Sequence, residues 1–157
     1  METKTNKYFL YLGVTWTFLF ACMSFYWAMG GMIGVRSLGG EIYEMALNPE
    51  PSFMVIVWIT GFIKLLGIVI LMMLLVNWKN SRIGRILYFV TKTLGLLLFI
   101  YGLLNFITIS LSKVGILDFE IDKYAANWRL FFWEPYWMLG GIFYFFSINK
   151  KRNERDI

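Results

Sequence analysis

Residues 52–78 read SFMVIVWITGFIKLLGIVILMMLLVNW, and Lys64 is the only charged side chain among them. About 20 apolar residues carry a helix across the ~30 Å hydrocarbon core of a bilayer. This stretch exceeds that length, so it predicts a membrane-spanning helix. Three further apolar runs lie around it, at about 8–29, 86–111 and 135–150. The first and the 86–111 run have full bilayer length. The last is shorter, and its start is marked by Glu134-Pro135, since proline suits the first turn of a helix. An alternative start near Asn127, with a kink at Pro135, also fits the pattern. We take the first, with residues 128–133 lying in the interface and the helix continuing toward Arg152.

The whole composition agrees. Of 157 residues, 59% are apolar, 20% aromatic and 16% charged. Soluble domains have about 45–50% apolar and roughly 25% charged residues. A soluble chain of this size could not bury so much apolar surface. The expected fold is an all-α membrane protein, a single integral membrane domain over 1–157. Four transmembrane helices form an antiparallel bundle with both termini cytoplasmic.

The orientation rests on lysine and arginine, which favour the cytoplasmic side. Lys4 and Lys7 precede the first span, and Lys79, Arg82 and Arg85 lie between the second and third. Lys150, Lys151, Arg152 and Arg155 follow the fourth. All fall on one side. The net charge of +5 is mostly this signal. It does not suggest nucleic-acid binding, which needs basic residues on one soluble face. The expected location is a plasma membrane.

The two outer loops, about 30–51 and 112–134, are longer than connectors need to be, as functional loops often are. Asp118, Glu120 and Asp122 alternate in the second loop, suggesting a short extended segment. Their spacing lacks the glycine turn of a cation loop, and no metal site is expected. Cys22 is the one cysteine and there is no histidine. Disulfides within the chain and histidine chemistry are therefore excluded. Residues 19–22 weakly resemble a lipoprotein cleavage box, but apolar sequence continues past them, as in a retained helix with a small buried cysteine. No cofactor is expected.

Two internal echoes stand out. Tyr26-Trp27-Ala28-Met29-Gly30-Gly31 ends the first span, and Tyr136-Trp137-Met138-Leu139-Gly140-Gly141 opens the fourth. Lys64-Leu65-Leu66-Gly67 and Lys92-Thr93-Leu94-Gly95 lie in the two central spans. The echoes pair antiparallel helices, so they are not a tandem duplication. Both Tyr-Trp pairs, with Trp58, Trp128 and Trp133, fall near the outer face. They form either an interfacial aromatic belt or an aromatic-walled cavity. Gly30 and Gly34 have the small-xxx-small spacing of close helix contacts, if the helix runs that far.

Lysine inside a span is costly and faces a bundle interior or wet cavity. Thr60, Gly61, Lys64 and Gly67 share one helical face. Tyr88, Lys92, Gly95, Phe99 and Gly102 share another, which Asn105 continues outward. No acidic residue lies within the spans to balance either lysine. Snorkelling, a neutral amine or an anionic ligand would each resolve this. Snorkelling suits Lys92, and a functional role suits Lys64. At the rim, Arg36, Glu41, Glu44, Arg129 and Glu134 either form solvated salt bridges or cluster over one mouth.

The Tyr-Trp-x-x-Gly-Gly motif at 26–31, the Leu47-Asn48-Pro49 turn, two central spans and the span led by Pro135 together resemble a bacterial family. Its members are small four-span membrane proteins of unknown function. The resemblance covers most of the chain and implies topology rather than activity. That family often has histidine two residues before the Tyr-Trp pair. Here the position is Ser24, so no histidine-dependent role carries over.

The expected function is binding of a membrane lipid or amphipathic small molecule in an outer-leaflet aromatic cavity, as a transport accessory. Ligand contacts are expected from Tyr26, Trp27, Trp58, Lys64, Lys92, Asn105, Arg129, Tyr136 and Trp137. An alternative is an intramembrane lipid-modifying enzyme with Glu41, Glu44 or Glu134 as acid or base. Neither a nucleophile–base pair nor a metal cluster supports it. A third is an immunity or interaction protein that binds another membrane protein or a second copy of itself through its glycine faces.

Overall fold

The computed structural model describes residues 3–78, 81–118 and 121–150. Lys79, Glu120, Lys151, Arg152 and Arg155 lie outside the described residues. In chain order the elements are β1 (Thr3–Thr5), α1 (Lys7–Ala28), a 3-10 turn (Val35–Ser37), α2 (Gly40–Leu47) and α3 (Pro51–Met73). Then come α4 (Ser81–Lys113), α5 (Lys123–Trp128), a π-helical segment (Arg129–Trp133), α6 (Glu134–Ser147) and β2 (Ile148–Lys150). Helices α1 and α3, and α4 from Arg82, are long and apolar enough to cross a membrane. Their outer surfaces remain apolar: Val55, Ile59, Ile63 and Leu66 of α3 are all exposed. Monomeric soluble proteins rarely expose contiguous apolar surface of this kind, whereas lipid covers it without cost.

Four helices pack together. α1 lies against α3 with Phe25 over Gly61 and Leu71 over Gly13, an antiparallel order. α6 lies between α1 and α4, antiparallel to both. Gly95 and Gly141 mark its contact with α4. A Cβ on Gly141 would lie 2.6 Å from the Gly95 carbonyl oxygen and 2.6 Å from the Phe99 nitrogen. The two backbones touch there because neither position has a side chain. α3 leans on α1, and α4 on α6. α3 and α4 follow one another in sequence but make little contact, so the bundle is loose between them.

The end of the bundle where the described chain begins and finishes is tied by backbone bonds. β1 and β2 pair antiparallel, with Thr3 opposite Lys150 and Thr5 opposite Ile148. The Asn6 N–H donates to the Ser147 carbonyl at 2.8 Å, and Thr5 Oγ1 donates to the Leu74 carbonyl at 2.9 Å. Beneath them Leu10, Leu71, Leu74, Leu87 and Ile148 form the core. We call this the terminal end and the opposite one the loop end.

Several expectations change. The last helix stops at Ser147 instead of continuing toward Arg152, because Ile148 turns to an extended conformation and enters β2. At its other end, helical backbone is unbroken from Lys123 to Ser147. α6 itself begins at Glu134 with Pro135 in its first turn, as expected, and α5 and the π segment lead into it without a break from the start of α5 at Lys123. Asp122 caps it, accepting the Ala125 N–H at 3.2 Å. Pro135 lacks an N–H and crowds the carbonyl four residues back. The π segment relieves this by one wide turn, in which the Glu134 N–H reaches the Arg129 carbonyl. α1 ends at Ala28, and Gly30 and Gly34 have φ of 88° and 80°. They are turn glycines rather than a helix-packing pair. Cys22 is exposed on α1, not buried. Glu41 and Glu44 do share a short helix, α2.

Candidate functional site

A cavity of about 730 Å³ opens between α1, α3 and α6 toward the loop end. Helical spacing explains its walls. Phe20, Ser24 and Trp27 fall at i, i+4 and i+7 on α1. Phe53, Ile56, Val57, Thr60 and Lys64 follow one stripe of α3. Trp133, Glu134 and Trp137 come from the π segment and α6, Tyr101 from α4, and Ile42, Glu44 and Met45 from α2. Most of this surface is apolar, with polar groups from Ser24, Thr60, Lys64, Arg129 and the α2 side set into it.

The aromatic wall is held in place by hydrogen bonds. Trp133 Nε1 donates to Ser37 Oγ at 2.8 Å, and Trp27 Nε1 donates to the Ile33 carbonyl at 2.8 Å. Phe20 meets Trp137 edge-on at 4.7 Å. Trp16 and Tyr136 bond reciprocally through their polar tips and backbone carbonyls, at 2.9 and 3.1 Å. This stacked pair fixes α1 against α6 behind the wall. Tyr136 lines a second hollow of about 460 Å³, for which Phe20 and Trp133 also serve as walls.

Two charged features lie in this lining. Lys64 Nζ lies 4.4 Å from the centre of the Phe20 ring and 3.4 Å from the Thr60 carbonyl oxygen. It forms no ion pair among the described residues. Arg129 and Glu134, which also line it, form a salt bridge of 2.8 Å. Arg129 also donates to Asn105 Oδ1 at 3.3 Å. Glu134 is 1% exposed. Its Oε1 is paired with Arg129, while Oε2 is buried with no hydrogen-bond partner among the described residues. The π turn links the same two residues through the backbone, since the Glu134 N–H bonds the Arg129 carbonyl.

The expected site residues divide accordingly. Trp27, Lys64, Arg129, Glu134 and Trp137 line the cavity, with Glu44 near its mouth. Asn105 stands behind Arg129. Tyr26 does not line it: its ring packs under Gly31, and its hydroxyl accepts the Ile33 N–H at 3.3 Å. Trp58 stacks on Phe62 outside the cavity. Glu41 is exposed away from it, and Arg36 lies over Tyr124 instead, 5.0 Å from the ring centre. Lys92 is near the terminal end, where Nζ donates to the Phe145 carbonyl and to Asn149 Oδ1. It satisfies a carbonyl in the last turn of α6, a common role for lysine. The stripe of Tyr88, Lys92, Gly95, Phe99 and Gly102 is therefore a packing face. Among the described residues, no three His, Cys, Asp or Glu side chains gather as a metal would need.

Phe20, Phe53, Val57 and Tyr101 were not singled out from the sequence, and Trp133 was placed near the outer face without being named as a ligand contact. Their helical spacing was visible, but nothing in the sequence said which faces of α1 and α3 converge.

Three helices of bilayer length packed with α6, and an apolar exterior, define a small helical membrane protein. Residues 17–144 match the family DUF3995, described as a protein of unknown function, and the chain belongs to it. No curated protein and no solved structure matches the chain.

Proposed function

We propose that this protein binds a lipid or amphipathic small molecule in the cavity between α1, α3 and α6, as a transport accessory in a plasma membrane. In this reading α6 is the fourth span and both termini are cytoplasmic, which puts the loop end in the outer leaflet. The pattern of basic residues near the terminal end supports that orientation. The observation that carries the proposal is the cavity itself, with aromatic walls and Lys64, which has no ion pair among the described residues, within them. Its 730 Å³ falls in the ~300–1,000 Å³ range of ligand sites. The loose seam between α3 and α4 offers a lateral entry for a lipid. Lys64 supplies the anchor for an anionic group, and the apolar lining accepts a chain.

Mass spectrometry of protein released from its native membrane tests this. The wild type should carry bound lipid or amphiphile. Lys64→Met keeps the length and removes the charge, and should reduce retention about tenfold, in line with the loss of a hydrogen bond to a charged group. An empty wild-type protein, or unchanged retention in Lys64→Met, would overturn the proposal.

A further inference from the structure

The hollow of about 460 Å³ beside the cavity opens on the outside of the bundle, where Leu19, Trp128 and Phe132 are exposed. Leu19 and Met23 of α1 form one wall. The other is a stripe of rings, Tyr124, Trp128, Phe132 and Tyr136, along the unbroken helical backbone from α5 into α6. Each ring packs on the next. The Tyr136 hydroxyl donates to the carbonyl of Trp16, which lies near the middle of α1, so the inner end of the stripe is at mid-span. Tyr124, at the loop end, is twelve residues away, about 18 Å of helical rise. The stripe is therefore close in length to the ~15 Å of hydrocarbon in one leaflet.

No charged residue lines the hollow. The Ser37 hydroxyl accepts Trp133 Nε1–H and donates to the Gly34 carbonyl, and that of Tyr136 is engaged by Trp16. The walls thus present mainly ring faces and alkyl groups, which suit hydrocarbon. Charge appears at the loop end alone. Arg36 stands between Gly34 and Ser37, which both line the hollow, and its guanidinium lies 5.0 Å from the centre of the Tyr124 ring. Gly39 packs closely on Ala125 and keeps this turn against α5. Arg36 is exposed and has no ion pair among the described residues.

We propose that this hollow is a second lipid site, which holds one acyl chain of an outer-leaflet phospholipid with its phosphate at Arg36. The site is separate from the cavity above and rests only on the membrane orientation proposed there. The headgroup lies at the loop end, and the chain runs inward from Tyr124 to Tyr136, the direction a lipid takes in that leaflet. The planar guanidinium fits a phosphate, which it can grip with two N–H donors. Tyr124 and Trp128 are ring types that favour headgroup depth. A lipid without a phosphate would fill the hollow but leave Arg36 without an anion.

Photolabelling of the full chain in nanodiscs tests this. Two probes are used in trace amounts, a phosphatidylcholine and a diacylglycerol, with identical chains that carry a diazirine near mid-chain. Mass spectrometry of peptides compares labelling in the hollow, at residues 19–23 and 128–136, with labelling of Val55, Ile59 and Ile63, which are exposed on α3. The ratio of hollow to α3 should be about threefold higher for phosphatidylcholine, as one exposed ion pair allows. Arg36→Gln should remove that difference, and Met23→Trp, which fills the hollow, should lower its labelling by both probes. Lys64→Met should leave the ratio unchanged. The wild-type comparison of the two probes decides the matter even if a variant does not fold. Equal ratios for the two probes would overturn the inference, as would an unlabelled hollow or a phosphatidylcholine preference that survives Arg36→Gln. A labelled hollow beside an empty cavity would overturn only the reading of the cavity, and a filled cavity beside an unlabelled hollow only this one.

Discussion

Gly141→Ala should separate α4 from α6 and destabilise the bundle. The new Cβ would sit 2.6 Å from two backbone atoms, the Gly95 oxygen and the Phe99 nitrogen, and 2.7 Å from Phe99 Cβ. Ordinary contact begins at 3.4 Å. The helices must therefore open by about 0.8 Å, and backbone cannot turn aside as a side-chain tip can. Overpacking of this kind costs about 1–3 kcal/mol. Alanine is favoured over glycine inside a helix by roughly 1 kcal/mol, which acts in the opposite direction. The clash involves three atoms at once, so a net loss of about 1–2 kcal/mol is expected. Gly13→Ala makes the same chemical change on α1, where the nearest atom is the Leu71 Cδ1 methyl at 3.1 Å. It should be at least about 1 kcal/mol less costly, because a methyl can shift by a few tenths of an ångström. Reversible unfolding in mixed micelles measures both. If Gly141→Ala is as stable as Gly13→Ala, the close backbone contact of α4 and α6 is wrong.

Two other outcomes follow from the site and the topology. Arg129→Met should cost about 3 kcal/mol because it strands a buried carboxylate, while Arg129→Met with Glu134→Leu should recover most of the loss; a double-mutant cycle in the same unfolding assay would show no such recovery if the pair were solvated. In a Cys22→Ser background, single cysteines at Thr5 and Glu44 should label from opposite sides of the membrane, Thr5→Cys only after the cytoplasmic face is exposed to an impermeant maleimide; labelling of both from one side would refute the four-span topology.

Much of the fold was legible because bilayer thickness imposes its own ruler. Any run of apolar residues near 20 must span or be buried, so α1, α3 and α4 could be read directly. The α4 stripe of Gly95 and Gly102 was legible as a packing face for the same reason: small residues at helical spacing admit another backbone. The start of the last helix was not settled. Pro135 does sit in the first turn of α6, but nothing in the sequence said that a π segment and α5 would lead into it without a break. The pairing of β1 with β2 was not visible in segments of three residues.

The site divides along the same line. The sequence by itself determined that Lys64 lacks an acidic neighbour within its span, since no carboxylate occurs in the apolar runs. It also biased the tryptophans toward the loop end, with Trp16 and Trp78 as exceptions. It gave Tyr26, Trp27, Tyr136 and Trp137 equal standing, as two copies of one dipeptide. Only the tertiary structure distinguished them. α1 and α6 cross so that Trp27 and Trp137 line the cavity, while Tyr26 folds under its own turn and Tyr136 locks onto Trp16. Helix periodicity fixes which residues share a face, but which faces meet depends on rotation and crossing, and these are set by glycine contacts between helices far apart in sequence.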